Sequence, residues 1–377
     1  MAGKQCSRKT DYLSDNPFTP VFGKVPPFIV GRSQIIDSIM TMFELPENNP
    51  DRCSLFVGAR GTGKTALLTF LANEAQSRGW IVANVTATTG MLDDIYQQVC
   101  SEANHLLASN KQRELTSVNI AGVGGISWKS VPSTTPNWRS RMTQLLEELA
   151  SMGTGILITV DEVNPQLDEM IQLTTVFQHF VRENRRIALL MAGLPYRINR
   201  LLTGDSTSFL RRAARYNLGS IPSFEVKEGF RLTIEDGGRT IDNEALDAAA
   251  EAIRGFPYMF QLVGYRTWNA AGRQSDAILI EDVQKGSAIA QEELQSRVFE
   301  ASLAELSAGD VAFLKAMAQE DKPVTRKQLM DRLKRSSSYI STYKKRLLEA
   351  GVIEEPERGV FTFALPGFAA WLRDFAL

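Results

Sequence analysis

Apolar residues in roughly the first 220 positions follow the two patterns that are typical of alternating strands and helices. Unbroken apolar runs predict buried strands at residues 55–57, 80–85, 155–160 and 187–193, and a last strand is expected near 216–221. Between these runs, apolar residues recur at helical spacing. Because strands that alternate with helices favour parallel pairing, the pattern predicts an α/β fold with a parallel sheet and right-handed crossovers.

The rest of the chain has mainly helical spacing. From about residue 223 the strand pattern stops, and Asp242 and Pro257 are placed to begin helices. In the C-terminal part, helices predicted at 307–319, 326–334 and 338–351 precede a hairpin predicted at 352–364. Three helices followed by a hairpin is the layout of a winged helix-turn-helix domain.

Residues 110–138 interrupt this order. Two β-prone runs around Gly122, Gly124 and Gly125 predict a hairpin within residues 115–131. The hairpin is either an appended working part or a solvent-exposed elaboration. Long loops are common at such a place, which favours the second interpretation.

The first predicted strand leads into a glycine-rich loop with a known chemical use. Its residues fit G-x-x-x-x-G-K-[ST], and a helical pattern follows. Glycines let successive N–H groups converge on phosphate oxygens, and the positive end of the helix faces the same oxygens. Lys64 is expected to reach the β- and γ-phosphates, and the Thr65 hydroxyl is expected to bind Mg²⁺. The residues predicted to contact the nucleotide here are Gly58, Ala59, Arg60, Gly61, Thr62, Gly63, Lys64, Thr65 and Ala66.

A second set of candidate site residues, an acidic pair, lies at the end of the most apolar predicted strand. Asp161 and Glu162 follow the run Ile156–Val160 directly. The carboxyl ends of parallel strands are where such sheets bind ligands, so the pair is expected beside the phosphate loop. Asp161 can hold Mg²⁺ through water, and Glu162 is placed to orient and deprotonate an attacking water.

Composition limits the remaining possibilities. With 377 residues the chain is expected to form two or three domains, and its net charge of −1 gives no general attraction to nucleic acid or membrane. Three scattered cysteines, none in C-x-x-C spacing, predict a reducing compartment without structural disulfides or zinc. No signal peptide or transmembrane run is visible, so the sequence predicts a cytoplasmic protein without a membrane partner.

Positive charge is concentrated in one stretch. Between Lys322 and Arg346 there are nine Lys or Arg residues and one acid, Asp331, a net of +8 in a chain whose total is −1. Cations and hydroxyls around the third predicted helix of the terminal domain suit phosphate contacts and groove insertion. A solvated face or a protein-docking surface is the competing interpretation. The predicted DNA-binding residues are Tyr339, Ser341, Thr342, Lys344, Lys345 and Arg346.

Together, the loop, the acidic strand end, a helical segment and a terminal winged helix resemble the AAA+ ATPases. Within them the chain is most similar to the branch of the archaeal origin-recognition ATPases and the signal-transduction (STAND) ATPases. The resemblance implies a P-loop NTPase core with a parallel sheet (27–222) after an N-terminal extension (1–26). A helical lid (223–300) and a winged helix domain (301–377) are implied to follow, with ATP and Mg²⁺ as cofactors.

The resemblance also implies roles for residues outside the two motifs. Ile29 and Val30 would border the adenine with Arg32 nearby, and Pro257, in a Gly-x-Pro turn, would lie against the nucleotide. An arginine finger is expected among the arginines at 211, 212 and 215, with Arg211 and Arg212 preferred. Two features depart from the family: the strand ending at Gly193 has no polar sensor residue, and the lid turn lacks a sensor arginine.

Two functions remain open at this point. The first is an ATP-hydrolysing switch that binds DNA through the winged helix and forms a homo-oligomer on ATP binding. The second is a STAND-type regulator whose winged helix docks a protein target or holds the ATPase inactive. A metabolic kinase is disfavoured, because no motif provides a site for a small-molecule phosphate acceptor.

Overall fold

The computed structural model of the chain describes residues 16–21, 23–115 and 137–375. The hairpin predicted around Gly124 lies outside these residues. The chain forms two compact units, one of Ser33–Arg60 with Leu67–Leu218, and one of Met1–Arg32, Gly61–Ala66 and Gly219–Leu377. None of the described helices is long and apolar enough to cross a membrane.

A five-stranded parallel sheet in the order β2-β3-β4-β1-β5 forms the centre of the first unit, which we call the α/β unit. The apolar runs of the sequence become its strands because both faces of the sheet are covered, and all seven residues of β4 are buried. The strands are β1 (Cys53–Val57), β2 (Ile81–Thr86), β3 (Ile156–Asp161), β4 (Ile187–Gly193) and β5 (Ala214–Asn217).

Helices connect these strands and bury their apolar faces on the sheet. Trp138, Phe177 and Phe180 are among the residues of this core, and each is less than 5% exposed. The helices are α1 (Ser33–Glu44), α2 (Lys64–Ser77), α3 (Met91–Leu115), α4 (Trp138–Ala150), α5 (Asp168–Arg182) and α6 (Pro195–Thr203). A 3₁₀ helix, Asp205–Arg212, leads from α6 to β5.

We call the second unit the helical unit. Its longest segment, from Gly219 onward, starts with the helices of the predicted lid. Asp242 accepts a hydrogen bond from the N–H of Ala245 at 2.8 Å and caps one of its helices, and Pro257 begins the next, as the sequence predicts. The lid helices are α7 (Ser223–Asp236), α8 (Asn243–Ile253), α9 (Pro257–Ala270) and α10 (Ile280–Leu294), followed by a π-helical turn (Gln295–Glu300) and α11 (Ala301–Ala304).

The terminal part of the helical unit has three helices, a small sheet and a last helix. The sheet has the order β8-β10-β9, and Gly359 forms the hairpin turn with a φ of 81°. The elements are α12 (Ala308–Met317), β8 (Val324–Thr325), α13 (Arg326–Leu333), α14 (Ser337–Ala350), β9 (Ile353–Glu357), β10 (Val360–Phe363) and α15 (Phe368–Phe375). This arrangement is consistent with a winged helix.

The structure departs from the sequence-based description in its short strands. The last strand of the large sheet, β5, lies a few residues before the predicted 216–221. The lid does contain strands, a two-residue parallel pair β6 (Thr240–Ile241) and β7 (Ala277–Ile278). In the N-terminal extension, Phe18 is 2% exposed, and its ring packs on Phe230 and Phe260 at 5.1 and 5.9 Å.

Candidate functional site

The carboxyl ends of three parallel strands meet at one edge of the large sheet. β1 ends at Val57, β4 at Gly193 and β3 at Asp161, and β4 lies between the other two. Since neighbouring strands are about 4.8 Å apart, the ends of β1 and β3 are separated by roughly 10 Å. The acidic strand end is therefore one strand removed from the start of the glycine loop, a gap that a phosphate group and ordered water can fill.

The main chain at this edge keeps its sheet hydrogen bonding as it enters the glycine loop. The N–H of Gly58 donates to the carbonyl of Gly193 at 3.3 Å, so the ladder between β1 and β4 continues into the first residue of the loop. A Cβ at Gly193 would lie 3.2 Å from Val163 and 3.3 Å from Ile198. Glycine at the end of β4 thus permits close packing there, and no side chain projects from this position.

Glu162 adopts a left-handed conformation that turns the chain sharply after β3. Its φ is 52°, and its N–H donates to a carboxylate oxygen of Asp161 at 2.8 Å. That bond orients the Asp161 carboxylate, and the turn leaves the Glu162 side chain exposed. Arg197 of α6 approaches the Glu162 carboxylate at 3.5 Å. A conformation that is uncommon for a non-glycine residue is often found at functional sites.

The second half of the glycine loop contacts the start of α9 in the helical unit. Gly61 and Gly63 have φ values of 77° and 86°, which only glycine adopts at low cost. A Cβ at Gly61 would lie 2.5 Å from the ring of Phe256, and the N–H of Tyr258 donates to the Gly61 carbonyl at 3.3 Å. Pro257 lies against Gly63, with 3.7 Å between its Cβ and the position of a Cβ on that glycine. The predicted Gly-x-Pro turn therefore lies on the phosphate loop.

The polar residues of the loop differ in exposure. Thr62 and Lys64 are buried, at 9% and 6% exposed, whereas Thr65 is exposed at the start of α2. Ala59 is buried, Arg60 is exposed and Ala66 is half-buried. An exposed threonine hydroxyl at this helix start is accessible to a metal ion.

The segment predicted to border the adenine packs in the helical unit. Val30 lies against Gly229 of α7, and the left-handed Gly31, with a φ of 75°, lies against Ile221. Arg32 is 9% exposed and donates to the main-chain carbonyls of Gly219 at 2.6 Å and Gly31 at 3.0 Å. Burial lowers the pKa of Arg32, and the Glu225 carboxylate opposes that shift. Its guanidinium thus secures the main chain, and a contact with nucleotide stays a prediction, as it does for Ile29.

A divalent metal is compatible with this donor set. Within the described part of the chain no three His, Cys, Asp or Glu residues are grouped closely enough to form a dedicated metal site. Mg²⁺ is commonly held by one or two protein oxygens together with phosphates and water. Thr65 and Asp161 supply oxygens of that kind.

The candidate arginine finger residues lie at the opposite edge of the sheet. Arg211 and Arg212 are exposed and end the 3₁₀ helix just before β5, whose first residue, Ala214, pairs with Ser54 at the amino end of β1. At about 3.3 Å per residue, β1 separates the two edges by roughly 15 Å. The Nε of Arg211 donates to the Leu202 carbonyl at 3.0 Å. These two arginines therefore lie at the sheet edge opposite to the loop start at Gly58.

Two of the predicted DNA-binding cations have acidic partners within the C-terminal domain. Lys344 forms an ion pair with Glu355 of β9 at 2.8 Å. Arg346 forms one with Asp310, a fully buried carboxylate, at 2.7 Å. Removing Arg346 would leave the buried Asp310 carboxylate uncompensated, so this arginine stabilises the domain although half of its own side chain is exposed. The two acidic partners offset part of the +8 counted in the sequence.

The start of α14 presents a different set of polar groups. Ser341, Thr342 and Lys345 are exposed, and Arg326 of α13 donates to the hydroxyls of Ser337 and Ser341 at 3.0 Å each. The ring of Tyr339 packs against Tyr343 in a tilted arrangement, with 4.4 Å between the ring centroids. We call Ser337, Ser341, Thr342, Lys345 and Arg326 the α14 surface. It combines hydroxyls with cations near a helix N-terminus, which suits phosphate.

Strand β9 carries two neighbouring carboxylates with different surroundings. Consecutive side chains of a strand point to opposite faces. Because Glu355 points to Lys344, Glu354 points to the opposite face. Glu354 is half-buried, burial raises the pKa of its carboxyl, and the positive charge of Lys64 opposes that shift. The carboxylate of Glu354 is thus within electrostatic range of the loop lysine.

Sequence analysis did not identify three residues of these sites: Arg197, Phe256 and Glu354. Arg197 could have been noticed, because it follows the end of β4 by four positions and strand ends meet at one edge. Phe256 stands inside the Gly-x-Pro turn, but only its packing on Gly61 reveals its place. No sequence signal points to Glu354, since its position depends on how the terminal domain packs.

Comparisons with known proteins agree with this geometry. The profile of a family described as AAA domain matches residues 48–202, and that of a domain of unknown function (DUF8462) matches residues 296–372. A search of curated proteins found no match. The solved ORC2 protein of Aeropyrum pernix in ADPNP–ADP complexes is 15% identical with a TM-score of 0.57, over 94% of this chain and 95% of that chain. Its ADP form is 13% identical with a TM-score of 0.53, over 94% and 96%. These likenesses show a P-loop NTPase fold.

Proposed function

We propose that this chain, which has an AAA domain at residues 48–202, is an ATP-hydrolysing switch protein that binds DNA through its C-terminal domain. One observation carries the proposal. The glycine loop leaves β1 at the sheet edge where β3 ends in Asp161 and Glu162. This edge combines a phosphate cradle with an acidic pair, which are the parts that nucleotide hydrolysis requires. The nucleotides bound to the structurally similar ORC2 protein support ATP as the ligand.

The residues of this chain would divide the work as follows. The main-chain N–H groups of the loop and the Lys64 ammonium would bind the phosphates, and Thr65 and Asp161 would hold Mg²⁺, which would supply positive charge to the phosphates. Glu162 accepts a proton from the attacking water. Because Arg197 lies 3.5 Å from the Glu162 carboxylate in the structure, it orients that carboxylate between catalytic cycles.

The positions of the candidate arginine finger residues support ATP hydrolysis between subunits. Arg211 and Arg212 lie at the edge opposite to Gly58, so they can complete a phosphate site only in a neighbouring copy. ATP would then favour a homo-oligomer, since the γ-phosphate gains a positive partner only when two copies meet.

DNA binding is assigned to the α14 surface rather than to the whole basic stretch. Its hydroxyls and Lys345 are exposed on one side of α14, with the half-buried Arg326 beside them, whereas Lys344 and Arg346 have acidic partners. Contacts of that kind to the phosphate backbone give affinity that depends on salt and little sequence preference. The acidic residues of β9 exclude close phosphate contact by that strand.

We expect Lys345→Ala to weaken binding to duplex DNA and to reduce the slope of log affinity against log salt by about one. The lysine is exposed, and among the described residues no ion pair within 4.0 Å joins it to a carboxylate. Fluorescence anisotropy of a labelled duplex across a salt series measures both quantities. Lys285→Ala, which removes an exposed lysine from lid helix α10, is the matched control and should change neither. Equal slopes for Lys345→Ala and the wild type would exclude the α14 surface as the DNA contact.

A second candidate function rests on Glu354. In a STAND-type regulator the terminal domain holds the ATPase inactive, and a carboxylate near Lys64 supports that role, because it attracts the same ammonium that the phosphates need. On this interpretation the exposed part of the C-terminal domain receives a protein target instead of DNA.

Glu354→Gln should then tighten ATP binding by about three- to fivefold and raise the basal hydrolysis rate, because an amide does not compete for Lys64 by charge. Titration with a fluorescent ATP analogue measures the affinity. Glu357→Gln, an exposed residue of the same strand, controls for general changes in charge. If both variants bind ATP as the wild type does, Glu354 has no inhibitory role.

A further inference from the structure

A cavity of about 300 Å³ opens at the amino ends of the strands in the α/β unit. Its walls come from the 3₁₀ helix Pro50–Arg52 before β1, the last turn of α5 and the 3₁₀ helix Asp205–Arg212 before β5. It therefore lies at the sheet edge opposite to the loop start at Gly58. The phosphate loop and the acidic strand end contribute nothing to its lining.

The base of the cavity is apolar and deep. Phe177 and Leu210 are 2% and 1% exposed, and Val181 and Phe209 continue the apolar wall toward the mouth. Cys53 is partly accessible, yet the surrounding protein raises the pKa of its thiol to about 12. A thiol that is partly accessible and yet shielded from water lies on a concave surface, so the cavity can hold the apolar part of a ligand.

The charged groups of the lining are both positive. Arg52 is 7% exposed, and its recorded hydrogen bonds go to the main-chain carbonyls of Ile187, at 3.3 Å, and Arg185. Arg212 is exposed at the mouth, and among the described lining residues there is no Asp or Glu. The main-chain carbonyls accept the hydrogen bonds of Arg52, and Glu47, just before the lining residue Asn48, is a negative charge near its guanidinium. The exposed guanidinium of Arg212 is therefore the positive group at the mouth that can meet an anion.

The end of α5 does not oppose an anion. The last turn of α5 would present partial negative charge, but its carbonyls at His179, Phe180 and Val181 accept the N–H groups of residues 183–185 at 2.9 to 3.1 Å. Amide side chains of Asn48, Asn184 and Gln178 add donors around the mouth.

We propose that this cavity binds a small organic anion with an aromatic or aliphatic body. The apolar group occupies the base formed by Phe177 and Leu210, and the anionic group lies between Arg212 and the amides at the mouth. The volume is at the lower end of the range for small-molecule sites, which limits the ligand to about the size of a two-ring aromatic acid. Binding requires no nucleotide, because the lining is separate from the phosphate loop.

The test compares 2-naphthoate with 2-naphthamide, which has the same shape without the charge, by calorimetry on the full chain without ATP. We expect 2-naphthoate to bind, and 2-naphthamide to bind at least about tenfold more weakly, because a charge-assisted hydrogen bond is lost. Arg212→Gln should weaken 2-naphthoate about tenfold and leave 2-naphthamide unchanged. Arg215→Gln, an exposed arginine of β5 that does not line the cavity, should have no effect. Absence of 2-naphthoate binding, or equal affinity for both compounds, would overturn the proposal.

A second measurement locates the binding site. In a Cys6→Ser/Cys100→Ser background, 2-naphthoate should slow the reaction of Cys53 with methyl methanethiosulfonate several-fold, since ligand and reagent compete for one space. Val181→Trp, which fills the half-buried wall, should abolish 2-naphthoate binding while thermal unfolding remains as in the wild type. If Val181→Trp does not fold, the labelling rate of Cys53 decides. An unchanged labelling rate in saturating 2-naphthoate would place the ligand elsewhere and contradict the proposal.

Discussion

A protein with Glu162→Gln should bind ATP as the wild type does and hydrolyse it at least about a hundredfold more slowly. Gln keeps the shape of the side chain and its hydrogen-bonding ability, but it cannot accept the proton of the attacking water. The left-handed turn at Glu162 and the bond from its N–H to Asp161 belong to the main chain, so they persist in the variant. Phosphate release under saturating ATP measures the rate, and equilibrium binding of ATP measures the affinity.

Two further variants separate this effect from a general loss of the site. Lys64→Ala should lose nucleotide affinity, because the ammonium binds the phosphates in the ground state as well. Glu74→Gln, which removes a surface carboxylate of α2 whose recorded ion pair is with Arg78, should change neither quantity. Hydrolysis by Glu162→Gln at the wild-type rate would show that another group accepts the proton.

The large sheet could be predicted from the sequence because its signals are local. Runs such as Ile156–Val160 are buried on both faces, so apolar residues at every position mark the strand without knowledge of its partners. Helix α4, Trp138–Ala150, also begins at a local signal, because Asn137 caps its start by accepting the N–H of Ser140 at 3.0 Å. The order of the strands could not be predicted, since β4 lies between β3 and β1 through packing alone.

Short strands were missed for a physical reason. β6 and β8 have two residues each, and their pairing depends on partners that are distant in sequence, as β8 pairs with β10. Two residues carry no period that distinguishes a strand from a loop. Their existence is decided by tertiary contacts.

The residues of the candidate sites also fall into two groups, those that local sequence predicts and those whose surroundings depend on tertiary packing. Lys64, Thr65 and Asp161 belong to contiguous motifs whose chemistry depends on local order. Charge counting worked less well for α14, because the sequence does not show that Lys344 and Arg346 have carboxylate partners at 2.8 and 2.7 Å. A net charge describes a segment, whereas binding depends on which side chains reach solvent.

The second large effect is expected at the opposite sheet edge. An Arg211→Ala/Arg212→Ala protein should hydrolyse ATP about a thousandfold more slowly or worse, if these residues stabilise the charge that develops on a neighbour's γ-phosphate. Their own loop begins at the far end of β1, roughly 15 Å away, so we expect the arginines to act on the site of a neighbouring subunit. Arg215→Ala, an exposed arginine three positions later on β5, is the matched control and should retain activity.

Mixing defective proteins tests whether the arginines act on a neighbour. A Lys64→Ala protein has intact arginines and a defective phosphate site, and the Arg211→Ala/Arg212→Ala protein has the opposite defects. A mixed oligomer contains a site with a working lysine that faces working arginines, so the mixture should regain a measurable part of the wild-type rate. A Lys64→Ala/Arg211→Ala/Arg212→Ala protein should not rescue the arginine variant, because that mixture lacks the arginines entirely. Mixed oligomers that form, as shown by co-purification of differently tagged copies, but remain inactive would contradict action between subunits.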